Sequence, residues 1–295
     1  MTEMGTQTAS VQRAKVRPNK RKRKVTGYGI AFTTFGTIWL IIAGYPLLYM
    51  VMTSFRTQNG YLIGKPWLPP SHPTLSNYAQ VLQAGFFHYF LNSAIVSVCS
   101  VVLIVVFALL LAYVIVRSHS RTVRTVFNVF LVGLALPIQA AIIPVYILIN
   151  KFGLYDTLIG MILPMVAFGL PLSLLILVNF VRDIPNELYE SMGLEGATDF
   201  QIVLHLVAPL SMPALVSVGI YEFIQSWNNF LFPLVLTQSQ SVQTLPLAIV
   251  QFQGQHTIDV PVTMAVVLFS ALPLILAYIF AGKYLRRGML VGFGK

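Results

Sequence analysis

The sequence predicts an all-α membrane protein, a polytopic helical bundle with about six transmembrane helices. Of the 295 residues, 56% are hydrophobic and only 9% are charged, whereas a soluble domain carries about 25% charged residues. Because 9% charged residues are too few to cover the surface of a soluble protein of this size, we expect lipid to cover most of the apolar surface. The second observation is a series of six apolar segments, each long enough for the roughly 20 residues that cross a bilayer.

The six predicted spans are residues 28–52, 90–116, 125–149, 157–181, 212–236 and 260–282. Five of them contain no Asp, Glu, Lys or Arg, and the fifth in chain order contains one acid, Glu222. The first span is longer than the apolar region of a cleaved signal peptide, which has about 7–15 residues, so we expect it to be retained. Prolines within the spans are expected to kink their helices.

The distribution of basic residues predicts the orientation of the chain. Sixteen of the nineteen Lys and Arg residues lie in the two terminal tails and in the second and fourth connections between spans. Because basic loops stay on the cytoplasmic side, both termini are predicted to be cytoplasmic. Eight of the basic residues lie within residues 13–24. Residues 1–26 are therefore predicted to be a disordered basic cytoplasmic tail, and residues 27–295 the transmembrane domain. Nucleic-acid binding is the alternative for this basic run.

The cytoplasmic connection at residues 182–208 is predicted to be folded. Pro185 suits the first turn of a helix, and two glycines, Gly193 and Gly196, offer a break after it. Thr198 and Gln201 then have the spacing of a capping box, which predicts a second helix that ends near Pro209. Four apolar residues are expected to share one side of that second helix: Phe200, Val203, Leu204 and Val207.

A short helix at the membrane surface can dock into a groove of another protein, or it can rest on lipid headgroups. Helices of the second kind usually carry Lys and Arg on their polar face. This helix carries Glu187 and Glu190 instead, with Glu195 directly after it, and these acids favour a protein partner.

The stretch from Glu190 through Gly196 to Pro209 resembles the signature loop of binding-protein-dependent ABC importer permeases. That loop has Glu-Ala-Ala, three further residues, Gly, about nine residues, and then an apolar residue with Leu-Pro. Here Glu190, Gly196 and Pro209 keep the pattern and its spacing, whereas Ser191, Met192 and Ala208 replace the two alanines and the leucine.

Other motifs resemble the carbohydrate branch of this family, in particular the smaller permease of maltose-type systems. The resemblance covers residues 27–295. The motifs are Asn77-Tyr78, Phe90-Leu91-Asn92-Ser93, Pro137 with Pro144, Gly153-Leu154, Phe223 with Trp227-Asn228, and Gly282-Lys283-Tyr284 with Gly288-Met289.

The resemblance implies an ABC type I importer permease fold and a transport subunit rather than an enzyme. It implies that a helix at residues 186–197 couples the chain to a separate ATPase dimer, which would use the ATP; the chain itself contains no G-x-x-x-x-G-K-[ST] loop and is expected to bind no cofactor and no metal. The implied coupling residues are Glu187, Glu190, Ser191, Met192, Gly193, Leu194, Glu195, Gly196 and Ala197. The other implied partners are a second homologous permease and an extracytoplasmic solute-binding protein, in the cell (inner) membrane, for import of a di- or oligosaccharide.

The fifth span is a candidate wall of the substrate path. Glu222, Gln225, Ser226 and Asn229 are three or four residues apart, so they share one helix face, and Trp227 lies next to them in sequence. Polar groups in an apolar span favour a functional site, but they also join helices to one another. Both interpretations stay open at this point.

Three other functions compete with sugar import by an ABC permease. An ABC permease for a non-sugar solute would share the loop but not the carbohydrate motifs. A gradient-driven secondary transporter is expected to show several intramembrane acids and internal repeats, whereas the spans contain one acid and no obvious repeat. An intramembrane enzyme would need paired aspartates, a Ser–His pair or an H-E-x-x-H motif within the spans, and the sequence has none there.

Overall fold

The structure, a computed structural model, describes residues 27–252 and 259–292, and the regular elements in these ranges are all helical. The long helices are α1 (Gly27–Ser54), α4 (Phe86–Arg117), α7 (Leu158–Arg182), α11 (Met212–Trp227) and α14 (Val260–Gly292). The shorter helices are α2 (Gln58–Ile63), α3 (Ser76–Gln83), α5 (Arg121–Gly133), α6 (Ile138–Lys151), α8 (Asn186–Leu194), α9 (Asp199–Ile202), α10 (Ala208–Leu210), α12 (Leu231–Leu236) and α13 (Leu245–Phe252). The basic tail predicted for residues 1–26 lies outside the described residues.

The chain forms two compact units, Met1–Leu47 and Leu48–Lys295. In the first unit, the helical residues of α1 expose apolar side chains such as Phe32, Trp39 and Leu40. This exposure is expected of a helix that faces lipid. The second unit holds the last turns of α1 and all helices from α2 onward.

Helix α4 is the centre of the second unit and packs along α7 and α11. Its contact with α7 includes Ala108 and Ala112, which are fully buried, against Leu174 and Leu177. Small residues allow two membrane helices to approach closely, which matters because lipid provides no hydrophobic drive for helices to associate. Helices α4 and α7 therefore support the other helices that pack against them in this unit.

The number of predicted spans is confirmed. Four described helices are long and apolar enough to cross a membrane, and two further spans arise when each of two bent helix pairs is taken as one. The predicted spans at residues 125–149 and 212–236 were wrong as continuous helices.

The third span is a bent pair, α5 and α6, whose axes meet at 110°. The break lies at Leu134 and the following residues, and Pro137 has extended backbone angles at the start of α6. The residue before a proline disfavours helical angles, so the chain leaves the helix here instead of kinking. A hydropathy pattern reports apolar length and not direction, which is why the sequence did not show this bend.

The fifth span differs at both ends. Helix α11 ends at Trp227, and after a short break α12 continues to Leu236. At its other end α11 joins the segment Asp199–Leu210 at a 79° bend. Pro213 lies in the first turn of α11 and has no backbone N–H, so a straight helix through this corner would lose a hydrogen bond and clash with the preceding turn.

Candidate functional site

The connection after α7 folds as the sequence predicts. Pro185 immediately precedes α8 with extended angles, and the helix runs to Leu194. The chain then reverses at Gly196, whose φ is +79°. Thr198 and Gln201 form the predicted capping box at the start of α9, since the Thr198 side chain accepts from the Gln201 amide and the Gln201 side chain accepts from the Thr198 amide.

The two glycines of this loop have different roles. A Cβ added at Gly193 or at Gly196 would meet no atom within 4 Å, so neither glycine is required for space. Gly196 lies in the left-handed region of backbone angles, which L-residues with a side chain rarely adopt. Gly193 lies inside α8. Only Gly196 is therefore demanded by the backbone.

The second helix of the loop is interrupted by a π-helical turn at Val203–Val207. In a regular helix the ring of Pro209 would clash with the carbonyl of His205, and the wider π turn relieves that clash. The predicted apolar stripe was wrong in part. Val203 and Val207 are buried, whereas Phe200 is 68% exposed and Leu204 is 53% exposed.

Helix α4 holds this loop through two hydrogen bonds and one cation–π contact. The Tyr113 hydroxyl donates to Asp199 Oδ1 at 2.6 Å, and Arg117 Nη1 donates to Asn186 Oδ1 at 3.2 Å. The Arg117 guanidinium also lies 4.6 Å from the centre of the Tyr189 ring, a geometry in which a cation is attracted to the ring face. We call these contacts the α4 clasp. They join the start of α8 and the start of α9 to the same transmembrane helix.

Tyr189 fixes α8 to the core. Its side chain is buried within the apolar cluster that includes Val181 and Val203, and its hydroxyl donates to the Val181 carbonyl at 3.4 Å. Burial raises the pKa of the Tyr189 hydroxyl above its ordinary value, and the positive charge of Arg117 opposes this effect. Sequence reasoning missed Tyr189 and the whole clasp, because Tyr113 and Asp199 are 86 positions apart and no local pattern links them.

The remaining loop residues divide into an inner and an outer set. Met192 and Ala197 are partly buried against the core. The exposed set consists of Glu187, Glu190, Ser191, Gly193, Leu194, Glu195 and Gly196. Leu194 is 91% exposed. The exposed surface of α8 therefore has an apolar side chain, Leu194, next to the acidic side chains of Glu190 and Glu195.

Four of the five candidate path residues come together at a cavity of about 110 Å³ between α7 and α11. Glu222, Gln225, Ser226 and Asn229 line one side of it, together with Tyr221. The other lining residues are Ile138, Met165, Phe168, Gly169, Leu172 and Phe232. The cavity thus combines carboxyl, amide and hydroxyl groups with three aromatic rings, those of Phe168, Tyr221 and Phe232.

Glu222 both lines the cavity and joins two helices. It is 4% exposed, and its Oε1 accepts a hydrogen bond of 2.9 Å from the Ser173 hydroxyl on α7. Gly169 provides the space for this carboxyl group, since a Cβ there would lie 2.7 Å from Glu222 Oε2 and 2.5 Å from Ile104 Cδ1. The interpretation of polar residues as links between helices therefore holds for Glu222, which also lines the cavity.

Trp227 does not line the cavity, which corrects the sequence-based assignment. Its side chain is 3% exposed within a separate apolar cluster, and its ring stacks on that of Phe223 with 5.6 Å between the ring centres. Its indole N–H donates to the carbonyl of Ser270 on α14 at 3.1 Å. One step along a helix turns a side chain by about 100°, so a neighbour of Ser226 in sequence faces another helix.

The loop after α12 is held at both ends. Asp156 accepts hydrogen bonds from the Gln238 and Ser239 amides and from the Ser239 hydroxyl, and these bonds hold the pKa of its carboxyl below the usual range. Further along the loop, Asn92 donates to the carbonyls of Ser241 and Gln243, each at 2.9 Å. This contact gives a physical reason for the Asn92 motif noted in the sequence.

Residues 104–291 match the family model described as the binding-protein-dependent transport system inner membrane component, and this range contains the α8 loop, the cavity and every residue of the α4 clasp. The chain belongs to this family. It is therefore a permease subunit of the ABC importer class, and its relatives include sugar-transport permeases.

Two relatives and one solved structure illustrate the match. The chain is 41% identical over 258 residues to the ABC transporter permease protein ORF2 of Caldicellulosiruptor sp. (strain Rt8B.4), covering 88% of this chain and 94% of that one. It is 32% identical to the diacetylchitobiose uptake system permease protein of Streptomyces coelicolor, covering 82% and 80%. A bacterial ABC transporter that imports alginate shares the fold, with a TM-score of 0.80 at 22% identity over 89% of this permease and 98% of that chain.

Proposed function

We propose that this permease is one of two homologous subunits that form the transmembrane path of an ATP-driven importer for a di- or oligosaccharide. A separate ATPase dimer would hydrolyse ATP, and an extracytoplasmic binding protein would deliver the sugar. The importer would lie in the cell (inner) membrane, with both termini of this chain in the cytoplasm, a basic tail at residues 1–26 and the permease domain at residues 27–295. The basic-residue asymmetry supports this orientation.

The observation that carries the proposal is the exposed helix α8 on its rigid support. Leu194 and the neighbouring acids form a small exposed surface on a short helix, and a short helix can dock into a groove of a partner protein. The α4 clasp and the buried Tyr189 join that surface to the transmembrane core. A movement of α8 by a docked ATPase would therefore move α4 and α7, and such rigid-body shifts are how access to a transport site is switched.

The cavity between α7 and α11 supports a sugar as the substrate. Sugars offer hydroxyl groups to donors and acceptors and apolar ring faces to aromatic side chains. Gln225, Ser226 and Asn229 supply the polar groups, and Phe168 supplies an aromatic ring. This chain would provide one side of the path, and the second permease the other. The relatives named for diacetylchitobiose and alginate transport support a saccharide.

The coupling role is tested by replacing Leu194 with aspartate in the complete transporter. We expect Leu194→Asp to abolish co-purification with the ATPase and ATP-driven sugar uptake, while the permease still enters the membrane. Leu75→Asp is a matched control, because Leu75, at the start of α3, is likewise an exposed leucine, with 68% of its surface accessible. Normal uptake by Leu194→Asp would exclude this helix as the coupling element.

Two competing functions remain distinguishable by the same assay. A gradient-driven secondary transporter would lose uptake when an ionophore collapses the ion gradients, and it would keep uptake without ATP. An ABC permease for a non-sugar solute would keep the ATP dependence but would not respond to a panel of labelled di- and oligosaccharides presented with its binding protein. ATP dependence together with saccharide uptake would support the proposal against both.

A further inference from the structure

A second cavity lies at the edge of the transmembrane region, away from the path between α7 and α11. It has a volume of about 240 Å³ and is lined by the end of α4, the start of α5 and the end of α7. These three helix ends, at Arg117, Arg121 and Arg182, are the points where apolar spans stop. Because the bilayer's apolar core gives way to headgroups where apolar spans stop, we expect the cavity at the level of the lipid headgroups.

Three basic side chains line this cavity: His119, Arg124 and Arg182. No carboxyl group is among its lining residues. Within the part of the chain that the structure describes, the guanidinium groups of Arg124 and Arg182 form neither an ion pair nor a hydrogen bond. Two arginines from different helices thus converge without an internal counter-ion, and an arginine fork matches the oxygens of a phosphate group.

Two hydroxyl groups of the short α4–α5 connection add donors to the same cavity. Ser118 Oγ accepts from the Ser120 amide at 3.1 Å, and Ser120 Oγ accepts from the Thr122 amide at 3.2 Å. A serine hydroxyl that accepts one bond still has its own O–H to donate. Both serines line the cavity, so their hydroxyls can hydrogen-bond to the same anion as the arginines.

The remaining wall of the cavity is apolar. It consists of Ile115, Val116 and Phe127, which are partly buried and belong to the rim of the transmembrane core. A soluble anion gains nothing from such a wall, whereas the glycerol and first acyl carbons of a phospholipid would be covered by it. Basic cavities between membrane helices at the headgroup level are typical sites for anionic lipids.

We propose that this cavity, which we call the basic headgroup site, binds the phosphate of an anionic phospholipid. Arg124 and Arg182 contact the phosphate oxygens, the two serines donate to the same group, and the apolar wall covers the adjoining carbons. Because the site joins α4, α5 and α7, a bound lipid would also tie the bent third span to the helices that support the α8 loop.

The test measures binding of fluorescent phosphatidylglycerol to the purified full transporter in a neutral detergent, with phosphatidylcholine as the reference lipid. The double variant Arg124→Gln/Arg182→Gln is expected to bind phosphatidylglycerol about 30-fold more weakly, because each basic side chain at an anionic headgroup contributes roughly a fivefold change in affinity. Each single variant is expected to lose about fivefold, which keeps the test decisive if the double variant fails to fold. Arg121→Gln is the matched control, since Arg121 is an exposed arginine of α5 that does not line the cavity.

A second arm separates the two sources of a phosphate group by adding inorganic phosphate in place of lipid. Phosphatidylglycerol binding that depends on Arg124 and Arg182 but not on Arg121, with little competition from millimolar phosphate, supports the proposal. Equal lipid binding by the wild type and the cavity variants overturns it. Charge-dependent binding of inorganic phosphate without a preference for phosphatidylglycerol assigns the cavity to a soluble anion and also overturns the lipid site.

Discussion

Replacing Gly196 with alanine tests the turn between α8 and α9 without adding a steric clash. The φ of Gly196 is +79°, and a Cβ there would meet no atom within 4 Å. The expected cost is therefore conformational and amounts to about 1–2 kcal/mol. Gly193 is the matched control, because it has equally open surroundings but lies inside α8. Alanine at Gly193 is expected to stabilise the helix by about 0.5–1 kcal/mol.

The two variants should therefore differ in sign although they are three residues apart. A cost of about 1–2 kcal/mol lowers the ratio of the native turn to its alternatives by roughly 5–30-fold, so Gly196→Ala is expected to reduce ATP-driven uptake. Gly193→Ala is expected to lose less uptake than Gly196→Ala, because it carries no cost in backbone conformation. The measurement is sugar uptake by the complete transporter in proteoliposomes at matched permease content. Equal rates for the two variants, or a larger loss for Gly193→Ala, would refute the argument from backbone geometry.

Three further substitutions probe other parts of the permease. Tyr113→Phe removes the 2.6 Å hydrogen bond to Asp199 and is expected to loosen the clasp by about 1.5–3 kcal/mol, the range for hydrogen bonds to charged groups; less sugar moved per ATP hydrolysed would support this, and an unchanged ratio would contradict it. Glu222→Ala removes the bond to Ser173, and we expect a raised KM for sugar, whereas Glu222→Gln keeps an acceptor and serves as the control; unchanged kinetics in both would leave Glu222 with a packing role only. Asp156→Asn should speed hydrogen exchange of the Gln238 and Ser239 amides at neutral pH. The folded-state pKa of Asp156 is lowered from 3.8, so its stabilisation is present above pH 3.8 and is lost as the pH falls through the folded value; the two proteins should therefore converge in acid, and a constant difference would disprove the role of the charge.

Local features of the α8 loop could be predicted from the sequence because they depend on hydrogen bonds between near neighbours. The Thr198–Gln201 capping box spans four residues, and the helix after Pro185 follows from the fixed φ of proline. The two helix breaks in the spans could not be predicted in the same way. Pro137 was expected to kink a continuous helix, and its position at a 110° corner depends on where α5 and α6 pack.

The contacts that a helix face makes with other helices could not be predicted from the sequence either. Glu222, Gln225, Ser226 and Asn229 share a helix face by their spacing, and the structure places them on one cavity wall. Trp227 was assigned to the same path from its position in sequence, yet it packs on α14. Spacing shows which residues share a face but does not show which neighbouring helix that face meets.

The sequence alone determined that this chain is a membrane protein, how many spans it has, where its folded loop lies and to which family it is similar. These properties depend on composition, apolar length, short-range capping and the order of short motifs along the chain, and none of them requires knowledge of which helices pack together. Only the tertiary structure decided the bend of the third span, the Tyr113–Asp199 contact across 86 positions, the placement of Trp227 and the convergence of Arg124 with Arg182. The physical reason is that lipid and the interior of a membrane bundle are similarly apolar. A hydrophobic span therefore has no strong preference for which face turns inward, and helix packing makes that choice.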